Sequence, residues 1–461
     1  MNTQLGLSTL TVGATLTLLG CASTYDRDLV ERRSRSLYGP PHSAQSGQAE
    51  NAGRSPVVVA DPRTLEEADL ESYLRFGLVN NAELHAAFKE WRASTERIEQ
   101  VSTLPEPRLT YGEFIEEVQT RTGPQERRFG ISQAFPWPGT LGTKARVSEH
   151  ESEALWHRVD ATRLRIAAEI EVAYFEYAFL GREMRITERL LELLRGLEPV
   201  VQSRVRAGAG QEDLLRLQVE IGRLEDDLAS IVRRRPVLSA RLAEAMTLRA
   251  ATGELLPLPE LVEPKTVGVD VERRFSQALE NNPELRSLAE RLRAAQASED
   301  LAGYRRYPEF SVGLDYIQTG DAINSGTPGS GDDPLMLGLS LSLPIWGSSY
   351  TAAEREARFR GEAARQRIVD AQSRIQASVE EQAYRVDDAA RRIGLYRDSL
   401  IPRANESLEL TLASYRTGAA TVLDLIDSER ALLEFELSFW RACREHLQGK
   451  ARLKALTGGV E

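Results

Sequence analysis

The chain has little of what metal centres and redox chemistry use: two cysteines, five histidines and four methionines in 461 residues. None of these gather at metal-ligand spacing. His150 and His157 are seven positions apart, about 10.5 Å along a helix and too far to share one ion. Gly208-Ala209-Gly210 follows a helical run rather than a strand, so it is not a dinucleotide loop. The residues therefore read as a protein that is not an enzyme, with no catalytic residues, no cofactor and no metal site. A basic excess is missing too. Lys and Arg number 58 against 69 Asp and Glu, a formal net charge of -11, which argues against nucleic acid as a partner because phosphate binding needs clustered cations. There is also no apolar run of about 18 residues or more, so no helix of this chain spans a bilayer. Any crossing must use strands.

What is present is 41% hydrophobic and 28% charged, rich in Ala, Leu, Glu and Arg as long-helix proteins are. Residues 5–21 are too short and too Thr-rich to cross a membrane and read as a secretory signal ending in a small residue. Leu18-Leu19-Gly20-Cys21 resembles a bacterial lipobox, in which the cysteine is acylated and becomes the first mature residue. The first 20 residues carry no Lys or Arg, which departs from that pattern. Ala22, where an Asp would retain a lipoprotein in the inner membrane, favours the outer membrane. Residues 1–20 are thus expected as signal peptide and 21–62, rich in Ser, Gly and Pro, as a lipidated tether without its own core.

The rest of the chain is a duplication. Asn80-Asn81-Ala82-Glu83-Leu84 returns as Asn281-Asn282-Pro283-Glu284-Leu285, 201 positions later. Gly130-Ile131-Ser132 returns as Gly338-Leu339-Ser340 after 208, and Gly208 as Gly418 after 210. Order and spacing persist, so 63–250 and 251–461 are expected as two structural repeats, each a helix, two strands and a long helical hairpin. Strands are expected at about 108–117, 128–137, 309–318 and 335–345. In 335–345 every second residue is Leu or Ile, and between them stand Met336, Gly338, Ser340, Ser342 and Pro344. That gives one lipid-compatible face and one lumen-compatible face. Trp137, Tyr316 and Trp346 near strand ends suit an aromatic girdle. Four strands cannot close a membrane barrel, and an open edge in lipid leaves backbone groups unpaired at several kcal/mol each. An oligomer follows. Three chains give twelve strands and a lumen.

The helices are too long for a globule. Residues 140–206 form one helical stretch, roughly 100 Å if unbroken, and 349–416 form its copy. The returning helices carry heptad seams at Leu214, Leu217, Ile221, Leu224, Leu228 and Ile231, and at Leu425, Ser428, Leu432, Phe435 and Phe439. The expected fold class is mainly α with membrane β.

Three stretches carry a family resemblance: 131–139 (Ile-Ser-Gln-Ala-Phe-Pro-Trp-Pro-Gly), 341–345 (Leu-Ser-Leu-Pro-Ile) and 415–427 (Tyr-Arg-Thr-Gly-Ala-Ala-Thr-Val-Leu-Asp-Leu-Ile-Asp). Over roughly 65–459 the chain resembles the TolC-type outer-membrane efflux family. The resemblance implies a homotrimer with a twelve-stranded barrel in outer-membrane lipid and a periplasmic α-barrel of coiled-coil helices. It also implies docking to a periplasmic adaptor and an inner-membrane pump through tips at Gly208, Ala209, Thr417, Gly418 and Ala419. Asp424 and Asp427 match the family's acidic pair at the pore constriction, and Tyr415 matches a gate tyrosine. The position of that tyrosine's basic partner in the family is occupied by Ala420 here, and Asp213 adds charge to the first tip, whose turn is one residue shorter. Acids near a helix start also complement the helix dipole, which is the plainer role for the pair. A type I protein secretion duct shares the fold, and a structural coiled-coil lipoprotein or periplasmic adaptor shares the hairpins but not the duplicated strands. One test concerns the N-terminus alone: Cys21→Ser should abolish labelling by a fatty-acid probe, and retained label would rule out Cys21 as the acceptor.

Overall fold

The computed structural model describes residues 27–38, 69–208, 210–248, 255–324 and 326–460. Cys21 and Ala209 lie outside them. In chain order the elements are α1 (Arg27–Tyr38), α2 (Leu70–Asn80), α3 (Ala82–Ser102), β1 (Arg108–Thr120), β2 (Gly123–Phe135), α4 (Thr140–Arg206) and α5 (Gln211–Ala245). The second half follows with α6 (Val271–Asn281), α7 (Pro283–Tyr304), β3 (Phe310–Thr319), β4 (Leu335–Leu341), α8 (Gly347–Leu395), a π turn (Tyr396–Leu400), α9 (Ile401–Thr417) and α10 (Val422–Leu456). Two compact units emerge. One holds Thr95–Glu149 and Ala294–Phe359; the other holds Leu29–Ser94, His150–Arg293 and Arg360–Glu461.

The first unit carries one antiparallel sheet in the order β1-β2-β3-β4. Its register lines up Leu109, Ile131, Leu314 and Leu337 across all four strands, and Tyr111, Phe129, Tyr316 and Leu335 in the next row. Because the side-chain period is two, these rows share a face. The rows face outward: Leu109 is 82% exposed and Leu337 76%. Rows of opposite parity are small or polar, such as Thr110, Gly130 and Asp315. There Arg128 donates to Asp315 through Nε (3.0 Å) and Nη2 (2.9 Å).

Strand ends differ from the sequence expectation in ways that backbone chemistry explains. β1 and β2 run on to a tight turn at residues 121–122, through a bulge between Glu113 and Val118. The charged stretch there looks like loop, but ladder pairing needs only backbone. β2 stops at Phe135, before Pro136, and β4 at Leu341, before Pro344, since proline has no N–H for a ladder. One further bond, from Ser342 N–H to Glu309 O (2.8 Å), prolongs the last pairing.

In the helical unit α4 is unbroken over 67 residues and absorbs Pro199. Its copy is not continuous: α8 and α9 are joined by the π turn, with Pro402 beginning α9. A proline there removes one helical N–H, and a wide turn is a usual accommodation. The stretch 21–62, expected as tether, contains α1, whose Arg33 forks onto Glu153 (2.8 and 2.9 Å) and lies over the Trp156 ring.

The duplication is built into matching breaks. Asn81 separates α2 from α3: its Oδ1 accepts from the N–H groups of Glu83 and Leu84, and its Nδ2 donates to Ala245 O. Asn282 does the same between α6 and α7, accepting from Glu284 and Leu285 and donating to Leu456 O (3.0 Å). Each asparagine caps one helix and ties it to the end of its own hairpin. Asn282→Ala should cost about 1–2 kcal/mol of helix-cap stability, read as a lower thermal midpoint, with Asn282→Asp intermediate because it keeps the acceptor. An unchanged midpoint for both would show that the cap carries no weight.

Candidate functional site at the hairpin tips

The turn of each hairpin holds a left-handed glycine, Gly208 at φ 106° and Gly418 at φ 84°. Other residues rarely adopt such angles, and a tight helix-ending turn requires them. Gly418 N–H and Ala419 N–H close α9 onto Tyr415 O and Ser414 O. The two tips touch. Arg204 of α4 lies 4.3 Å over the Tyr415 ring and donates to Arg416 O (3.4 Å). Tyr415 is 2% exposed and belongs to a core formed with Leu194 and Val201 of α4, Leu217 and Ile221 of α5, and Ile426 of α10. The tyrosine picked out by the resemblance is thus covered by Arg204, a cation of the other hairpin, in the absence of a basic residue at Ala420.

Asp213 and Asp424 both occupy the third position of their helices, despite the shorter first turn. Their surroundings differ. Thr421 caps α10 and forms a reciprocal box with Asp424: Asp424 N–H donates to the threonine hydroxyl, and the carboxylate accepts from Thr421 N–H (2.8 Å) and hydroxyl (2.7 Å). These donors hold the Asp424 carboxyl below the usual carboxylate range, the backbone N–H most of all. The corresponding cap of α5 is Gly210, which has no side chain to offer. Asp427, one turn along α10, is exposed and lies 3.9 Å from Arg430.

Three groups that sequence reading passed over stand behind these acids. Arg430 donates through Nε to Glu220 Oε1 of α5 (2.9 Å) and through Nη2 to Oε2. Glu429, beside it, is 1% exposed, and neither carboxylate oxygen has a hydrogen-bond partner. The signal available was position. Glu220 sits between Leu217 and Ile221, and Glu429 three residues after Ile426, on apolar stripes where an acid is out of place. Elsewhere, His150 is paired with Glu290 (2.8 Å), and the buried Cys443 thiol is pushed up to about 12 by burial and so is unreactive. Among the described residues no group of three His, Cys, Asp or Glu is placed to hold a metal ion.

A four-stranded sheet with an outward apolar face, joined in sequence to paired helical hairpins, is a fold shared with solved outer-membrane proteins. VceC, an outer membrane protein of Vibrio cholerae, has this fold, with a TM-score of 0.69 at 16% identity over 86% of this chain and 98% of its own. Nodulation protein T of Rhizobium leguminosarum bv. trifolii is 22% identical over 88% of this chain and 90% of its own length. The pyoverdine export outer membrane protein OpmQ of Pseudomonas aeruginosa is 22% identical over 85% of each. The profile of the family described as Outer membrane efflux protein matches residues 275–459.

Proposed function

We propose that three copies of this chain form the outer-membrane exit duct of a tripartite efflux system. The observation that carries this reading is the open sheet. Among the described residues β1 and β4 each have a single strand neighbour, while the rows between them expose leucine and aromatic side chains. In hydrocarbon those edges must be paired, and pairing β4 of one copy with β1 of the next makes twelve strands from three chains. Cys21 supplies a lipid anchor at the same membrane. The tips at Gly208, Ala209, Thr417, Gly418 and Ala419 dock the periplasmic adaptor, which in turn connects to an inner-membrane pump. No step of bond chemistry is needed: the pump supplies the energy, and the duct passes small molecules or ions.

At the periplasmic mouth Asp424, Asp427 and Asp213 provide the gate charge, with Tyr415 packed behind them. Three chains bring six carboxylates from Asp424 and Asp427 to one constriction, which favours cations and binds multivalent ions that block it. The threonine cap keeps Asp424 ionised, and Arg430 stands 3.9 Å from Asp427. In planar bilayers the purified protein should give discrete cation-selective openings, with a mass of three chains. The double variant Asp424→Ala, Asp427→Ala should lose much of the cation preference and the multivalent-cation block. Unchanged selectivity and block would remove the gate assignment, and a monomer without conductance would remove the duct.

A further inference from the structure

Two glutamates between α5 and α10 have opposite fates. Glu220 is 4% exposed and takes both arms of the Arg430 guanidinium. Glu429 is buried more deeply still and has no partner for either oxygen. Arg430 is committed to Glu220 and, more distantly, to Asp427.

Among the described residues the other elements packed here supply no compensating cation. From α4, Arg204 lies on Tyr415, Arg195 pairs with Glu225, and Glu198 is held by Gln202 and by Gln218 of α5. From α9 come the Tyr415 ring and the Thr411 hydroxyl, which meets Ser428 (3.3 Å) rather than Glu429. A carboxylate shut from water with no donor holds its proton instead of ionising. Burial, with the negative charge of Glu220 adding to it, pushes Glu429 up to about 8. Because the group is already enclosed within one chain, assembly with other copies does not create this condition.

We propose that Glu429 is a proton-operated latch of the tip coil: protonated, it lets α5 and α10 stay packed, and its ionisation favours their separation. The effect on conductance rests on the gate reading above; the proton itself does not. In the separated coil the carboxyl meets water and returns toward its ordinary value of 4.5. The packed coil therefore binds the proton more tightly. Packing is at full strength below about 4.5, weakens as pH rises, and levels off above about 8. Within that window the ratio of separated to packed coil rises by up to roughly tenfold per pH unit per chain. Acid on the periplasmic side thus keeps the mouth shut, and a neutral or alkaline periplasm loosens it.

The test is amide hydrogen exchange of residues 211–224 and 422–433 in the full-length protein across this pH window, corrected for the intrinsic pH dependence of exchange. Protection of both segments should fall with rising pH in the natural sequence and stay level in Glu429→Gln, whose amide has the carboxyl's shape and no acidic proton. A natural coil equally protected throughout, or a Glu429→Gln coil that loosens in parallel, overturns the latch. Glu220→Gln provides an independent check. It removes the like charge and releases Arg430, so the transition should move to lower pH; an unmoved midpoint also overturns the proposal. Open probability recorded over the same range separates the two readings. Exchange that follows pH and depends on Glu429, without a matching change in opening, would refute the gate while leaving the latch in place.

Discussion

Hydrogen bonding at the edges of a four-stranded sheet is the constraint on which the rest depends. Every strand in the sheet presents N–H and C=O groups in its plane, and among the described residues only the inner strands have both sides paired. Were both faces polar, water would satisfy the edges. One is not: the rows running from Leu109 to Leu337 and from Tyr111 to Leu335 suit hydrocarbon, where no water is available. The apolar face and the open edge are tolerable together only in a sheet completed by other strands. The need for further strands therefore arises in the sheet itself.

Much of this was legible because strands and helices impose different periods on one sequence. Alternation at 335–345 gave the outward face, and the spacing of Leu217, Ile221 and Leu224 gave the coil seam. The duplicated asparagines were visible as a repeat, but their role was not, since capping a helix and tying it to Ala245 or Leu456 are facts about distant backbone. The strand hairpin at 108–135 was read short because its middle is charged, and backbone pairing does not register in side-chain pattern. The π turn was missed for a related reason. Periodicity continues across it, and Pro402 alone does not distinguish an absorbed proline, as Pro199 is in α4, from one that widens a turn.

At the tips, residue type identified the exposed acids and missed the buried ones. Asp424 and Asp427 stand in a recognisable stretch, whereas Glu220 and Glu429 are marked in the sequence only by their positions on apolar stripes. Only packing reveals that Glu220 is satisfied by Arg430 across the interhelical gap and that Glu429 is not. Tyr415 shows the converse. Its position was legible, but its surroundings depend on Arg204, which lies more than two hundred positions away and comes from the other repeat.

The two hairpins also divide labour unequally, and the inequality begins at one capping position. With Thr421 as cap, α10 fixes Asp424 at the helix start and keeps it ionised. Gly210 allows the corresponding turn of α5 but fixes nothing, so Asp213 stands without that support. The π turn belongs to the same second hairpin, and so does Glu429. An interrupted helix, a fixed exposed acid and a buried acid without a partner thus gather in one repeat, while the unbroken α4 of the other repeat supplies part of the core against which it packs. A duplicated chain whose halves were equivalent would spread stability and charge evenly over both tips. Here the polar cost is concentrated where helix separation would relieve it, which is the arrangement expected of a moving hairpin held against a fixed one.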